Sequence, residues 1–200
     1  GDKDDDNANE TKSHEILHGL HNQRQELQNG CRTIRPCTED YCAKRVLVLG
    51  CGNVLFGDDG FGSEVAQKLL ADYKLPGDVY VLDAGTGVRE ILFDMVIGGH
   101  RPEKIVIVDA MDVGRPAGEL FKLPLDNIPA NKTDDFSLHQ VPTSNLLKEL
   151  RDLCGVEVRI IACLTGFIPK EVTQGLSEPV KNAVRKACDM ILNYELKTKN

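Results

Sequence analysis

The chain carries a glycine-rich loop, Gly50-Cys51-Gly52-Asn53-Val54-Leu55-Phe56-Gly57-Asp58-Asp59-Gly60-Phe61-Gly62, in which two carboxylates stand side by side. Such a loop between a strand and a helix suits a phosphate, because backbone amides and the helix N-terminus face the anion. Here Asp58 and Asp59 oppose a phosphate with their own negative charge, and the pair suits a cation better. Further along, Asp83 and Asp109 each terminate an apolar run. Burial makes an unpaired carboxylate costly, so each is either hydrogen-bonded to loop amides or bound to a cation. His139, within Ser137-Leu138-His139-Gln140, adds an imidazole. Two carboxylates and one imidazole form a reasonable donor set for a borderline divalent transition metal, with positions left open for a substrate. Taken singly, a strand-end Asp also reads as a loop cap and His139 as a surface histidine. Only their convergence would make a site.

Convergence needs a scaffold. Residues 45–49, Arg-Val-Leu-Val-Leu, are too short for a helix and predict a buried strand ending at Gly50. Val65, Ala66, Leu69 and Leu70 predict a helix over about 61–73, punctuated by Pro76-Gly77. A second strand is expected over 79–83 and a third over 104–109. Between them, Ile91, Leu92 and Met95 mark a helix over about 88–97 that Gly98-Gly99 ends. Residues 110–142 break the rhythm with Pro, Gly and Asn, apart from a short strand around 118–123, and are the natural place for an active-site loop. A helix is expected from near Ser144 to Gly155, a fourth core strand over 156–164, and a last helix from Ser177-Glu178-Pro179 to about Tyr194.

This alternation predicts an α/β fold: a doubly wound, mostly parallel sheet sandwiched between helices, with an irregular active-site insertion and an N-terminal appendage. Ligands of such sheets collect at the carboxyl ends of the strands. That rule puts Asp58, Asp59, Asp83 and Asp109 on one rim, with His139 in the insertion that can fold over it.

Two hundred residues, 41% of them hydrophobic, suffice for one such domain, expected over 45–200. Residues 1–44 read as an extension, partly disordered and with a short helix around Ile16, Leu17 and Leu20. A formal net charge of -7 disfavours nucleic acid, which needs clustered Lys and Arg. The apolar runs are too short to span a membrane and the acidic start lacks a signal-peptide core, so no membrane partner and a cytoplasmic location are expected.

Other chemistries fit less well. Seven cysteines at irregular spacing read most simply as reduced thiols, and Cys31, Cys37 and Cys42 miss the tight spacing of a zinc knuckle. His14, His18 and His21 read as solvent-facing, and His100 has no evident partner. No GxSxG elbow is present, and acidic neighbours would raise the thiol pKa of Cys51 rather than activate it. Gly50-x-Gly52 begins like a dinucleotide fingerprint, but Leu55 stands where the third glycine belongs. Val81-Leu82-Asp83-Ala84-Gly85-Thr86-Gly87 resembles the first motif of Rossmann-like methyltransferases, with Val88 in place of its final glycine.

A more specific likeness spans about Arg45 to Leu196. Gly50-x-Gly52-Asn53-x-Leu55-x-x-Asp58-Asp59-Gly60-x-Gly62, Leu82-Asp83-x-Gly85-Thr86, Val108-Asp109-Ala110 and His139-Gln140 follow one another in order. With these blocks the chain resembles the hydrogenase maturation endopeptidases, which remove a C-terminal extension from the nickel-loaded large-subunit precursor of nickel-iron hydrogenases. The resemblance implies that Asp59, Asp109 and His139 contact the metal and serve catalysis. It implies nickel as the recognition element, arriving with the precursor, for which another divalent metal could substitute in vitro. The Asp form of the loop suggests the branch acting on coenzyme F420-reducing hydrogenases. The rival from another class is a chaperone that senses nickel in the precursor without cutting it.

Overall fold

The computed structural model describes residues 40–112, 116–128, 141–166 and 168–197. The chain divides into Gly1–Thr38 and Glu39–Asn200. The first unit lies outside the described residues, and with it fall the expected N-terminal helix, its three histidines, Cys31 and Cys37. His139 also lies outside them.

Five strands, β1 (Val46–Cys51), β2 (Val79–Gly85), β3 (Lys104–Asp112), β4 (Leu120–Lys122) and β5 (Glu157–Thr165), form one sheet in the order β2-β1-β3-β5-β4. All neighbours are parallel except β4, an antiparallel edge on β5. The helices are α1 (Phe61–Asp72), α2 (Val88–Ile97), α3 (Val141–Asp152) and α4 (Glu178–Met190). All six residues of β1 are buried, which requires cover on both faces of the sheet. Val46, Val48, Val106 and Val108 point to one face, where Val65, Ala66 and Leu69 of α1 and Val180, Ala183, Val184 and Ala187 of α4 complete the core. Leu47, Leu49, Ile105 and Ile107 alternate to the other face. There α2 and α3 pack together, with Leu92, Met95, Leu147 and Leu150 fully buried. The doubly wound sandwich read from the sequence is therefore present.

From β1 the chain turns to β2 on one side, and then crosses to β3 on the other. The reversal opens a crevice beyond the carboxyl ends of β1 and β3, the switch point at which open α/β sheets bind ligands. A pair of glycines lets the first helix close tightly under it. A Cβ on Gly62 would collide with the carbonyl oxygens of Val108 and Cys51, and one on Gly50 with that of Gly62. The close-packing glycine missing at Leu55 is thus supplied by Gly62.

Several boundaries differ from the sequence reading. β3 runs on to Asp112 because β5 continues to pair with it, through Asp112 opposite Thr165. Helix α3 starts at Val141, ahead of Ser144, since a proline is tolerated in the first turn, where its missing amide needs no partner. α4 runs into a π-helical turn, Ile191–Glu195, in which the Leu196 amide donates to the Ile191 carbonyl at 3.1 Å. Cys42 is disulfide-bonded, which corrects the reading of seven reduced thiols; irregular spacing carries no pairing information. No helix among the described residues is long and apolar enough to cross a membrane.

Candidate active site

The register of β3 explains how Asp109 becomes available. Its last partner on β1 is Val108, opposite Gly50, whereas β5 stays paired beyond it. Asp109 is therefore the first β3 residue past the point where β1 peels away, and the loop leaving β1 fills the gap. Gly52 makes that exit with φ +116°, a conformation that a side chain strongly disfavours. A Cβ there would collide with the Asp59 carbonyl oxygen and stand 3.8 Å from Oδ1 of Asp109. Gly52 is thus the point around which the main chain of Asp59 and the carboxylate of Asp109 meet.

Asp59 lies in a 3-10 turn, Gly57–Gly60, that leads directly into α1. Its amide donates to the Phe56 carbonyl at 3.2 Å, and its Oδ2 accepts the Asn53 amide at 2.8 Å. Oδ1 of Asp109 accepts the amide of Ala110 at 2.8 Å. Both residues are only 2% exposed. Each carboxylate is therefore oriented by a main-chain amide in a dry environment, where its interaction with a cation is far stronger than in water. Asn53 was legible only as a motif position; its amide as the partner of Asp59 is visible in the fold alone.

The other two acids of the expected rim turn elsewhere. Asp58 accepts the Ser177 amide at 2.7 Å on Oδ1 and the Ser177 hydroxyl at 2.9 Å on Oδ2. It clasps the residue before α4, 119 positions away in sequence, and so braces the loop against the last helix. Asp83 is exposed, stands opposite Gly50 and accepts from Nε2 of Gln67 at 3.0 Å. The parallel pairing that carries β2 on to Gly85 holds it within the strand rather than at the crevice.

Cys51 closes β1 beside these acids, 2% exposed. Burial pushes its thiol well above the ordinary value of 9.0, and the charges of Asp109 and Asp83 push it further. It is a neutral core thiol and a poor nucleophile. Among the described residues no three His, Cys, Asp or Glu side chains form a metal-holding group. The arrangement on view is two buried, amide-oriented carboxylate residues at a topological switch point, a geometry suited to a cation or to proton transfer from water.

A family model for hydrogenase maturation proteases matches residues 63–194. The chain belongs to this family. It is accordingly a peptidase that acts in hydrogenase maturation. A candidate hydrogenase maturation protease of Methanocaldococcus jannaschii is 41% identical over 150 residues, which cover 74% of this chain and 95% of that one. The coenzyme F420 hydrogenase subunit delta of Methanothermobacter thermautotrophicus is 36% identical over 157 residues, covering 74% and 92%. Among solved structures, the hydrogenase maturating endopeptidase HybD of Escherichia coli superposes with a TM-score of 0.57 at 30% identity, covering 74% of this chain and 90% of that one. The family match contains Asp83, Asp109 and His139 and starts four residues after Asp59.

Proposed function

We propose that this maturation peptidase removes the C-terminal extension of a nickel-loaded nickel-iron hydrogenase large-subunit precursor, and that Asp59, Asp109 and His139 contact the nickel the precursor brings. The observation that carries the reading is the meeting of two buried acidic residues, Asp59 and Asp109, around Gly52. Carboxylates with an imidazole suit a borderline divalent ion, so nickel, or another divalent metal in vitro, matches the donor chemistry. The Asn53 and Ala110 amides hold the two acids in fixed orientations, so little reorganisation is needed when the metal arrives.

In this reading the metal is a part of the substrate and serves as its recognition element. A precursor without nickel lacks the shared ligand bonds and is rejected. Hydrolysis then requires a water oxygen to attack the scissile carbonyl carbon. An aspartate takes a water proton, and the leaving amine receives a proton as the C–N bond breaks. The 36% identity to a coenzyme F420 hydrogenase subunit supports a precursor from that branch. The same reading assigns the reaction to the cytoplasm, with neither nucleic acid nor membrane as partner, in keeping with the net charge of -7.

The test is incubation of the full chain with apo and nickel-loaded precursor, reading the product by intact mass. Loss of the C-terminal extension from the loaded form alone is expected. Equal cleavage of both forms would overturn nickel gating, and binding without any change in mass would favour a nickel-sensing chaperone.

A further inference from the structure

Immediately after Asn53, the loop turns two apolar side chains outward, Val54 and Leu55, each 44% exposed. The turn is closed locally, with the Leu55 amide donating to Oδ1 of Asn53 at 3.0 Å and the Phe56 amide to the Asn53 carbonyl at 3.0 Å. Leu55, Phe56 and Gly57 then pair in parallel with a distant segment. The Thr173 amide donates to the Leu55 carbonyl at 2.8 Å, and the Gly57 amide to the Thr173 carbonyl at 2.6 Å, which sets Phe56 opposite Thr173. That register places Val172, 66% exposed, beside Leu55 on the same side of the bridge. Residues 170–175 are exposed throughout. Because Thr173 uses its amide and carbonyl on the loop, those of Val172 and Gln174 point to the opposite edge. Among the described residues that edge has no backbone partner.

We infer that the outer edge of residues 172–174, with the apolar lip of Val54, Leu55 and Val172, docks an extended, apolar-bearing stretch of the precursor next to the bond to be cut. An unpaired strand edge recognises an extended peptide through main-chain hydrogen bonds, and flanking side chains supply selectivity. What commits the edge to the substrate is its continuity with the site. Asn53, whose amide holds Asp59, directly precedes Val54 and Leu55 in the same closed turn, so the lip adjoins the residue that holds Asp59.

The inference rests on the proposed function, and the experiment separates the two. Leu55→Asp, Val172→Asp and Gln174→Pro each alter the exposed edge without touching Asp59, and Gln174→Pro removes an outward amide while leaving both bonds to the loop. Cleavage of nickel-loaded precursor by the full chain is followed at several substrate concentrations. Binding of the same precursor to the unsubstituted chain and to the three variants is measured by interferometry in a parallel set, before cleavage proceeds. We expect KM to rise about tenfold in each aspartate variant, kcat to stay the same, and binding to weaken in proportion. Unchanged KM and binding in all three variants would overturn the docking edge and leave the peptidase reading standing. Weakened binding in the variants, with the unsubstituted chain cleaving apo and nickel-loaded precursor alike, would support the edge and defeat the nickel-gated reading.

Discussion

Asp58 and Asp59 are neighbours of the same type, and the fold gives them different partners. Asp58 spends both oxygens on Ser177, whereas Oδ2 of Asp59 accepts a main-chain amide of its own loop. Asp58→Asn should therefore lower stability by about 2 kcal/mol, the scale of hydrogen bonds to a buried charge, and leave cleavage largely intact. Asp59→Asn should do the reverse, keeping the urea midpoint and losing cleavage by at least a hundredfold. Parallel urea titrations and precursor assays check the pair, and a shared loss of cleavage would remove the distinction. Cys51 supplies a third expectation. With its thiol held neutral by burial, Asp109 and Asp83, the folded protein should leave it unmodified by iodoacetamide at pH 8, and Cys51→Ala should cleave normally. Labelling of Cys51 in the folded state, read by peptide mass, would contradict that.

Two elements are held by tight local contacts, and the candidate site depends on the first. The first is the turn at Gly52, where a side chain meets both an unfavourable φ and the Asp59 carbonyl. Gly52→Ala should displace the 3-10 turn and abolish cleavage, with a stability loss on the order of 1–3 kcal/mol. Full activity in a folded Gly52→Ala chain would show that Asp59 needs no such placement. The second lies at the other end of the sheet, where the π-helical turn buries Glu195 at 2% exposure. Lys122 reaches its Oε1 at 2.7 Å. Lys104 lies 3.7 Å from its Oε2 and donates to its carbonyl at 3.1 Å. Lys104→Met should cost on the order of 2 kcal/mol by urea titration. That is less than the loss of a sole partner, because Lys122, half exposed, still shields the buried charge. Activity should be unaffected, since Lys104 opens β3 while the acids sit at its far end.

At the scale of the whole molecule, burial of thiols sets a limit on alkaline stability. Burial pushes Cys163 to about 12 and Cys188 to about 11 from an ordinary 9.0, and Cys51 well upward. A thiol whose folded value is raised contributes stability that is intact below pH 9. The contribution falls as the unfolded chain ionises and is spent once pH passes the folded values. The denaturation midpoint should therefore decline between about pH 9 and 11, and replacing Cys188 by Ala should flatten that decline. The packed unit also reaches further forward than residue 45. Tyr41 and Cys42 are buried, and the ring of Tyr41 lies 6.0 Å from that of Tyr80. In reducing buffer, a chain beginning at Arg45 should melt below one beginning at Glu39. The strands and their alternation with helices were legible in the sequence because burial imposes periods of two and of 3.6 on residue type, although Leu70, read onto the apolar face of α1, stands 56% exposed. Asp83 and Asp109 were legible for the same reason, as charges ending apolar runs, and Asp58 and Asp59 as a carboxylate pair in a glycine-rich loop. Which main-chain groups hold each acid was not legible, since that depends on strand order and register. The crossing from β2 over β1 to β3 opens the crevice, β1 peels away one residue before Asp109, and a serine more than a hundred residues distant draws Asp58 aside. Local sequence determined the parts and their periodicity; contacts between segments far apart in the chain decided where each carboxylate is held.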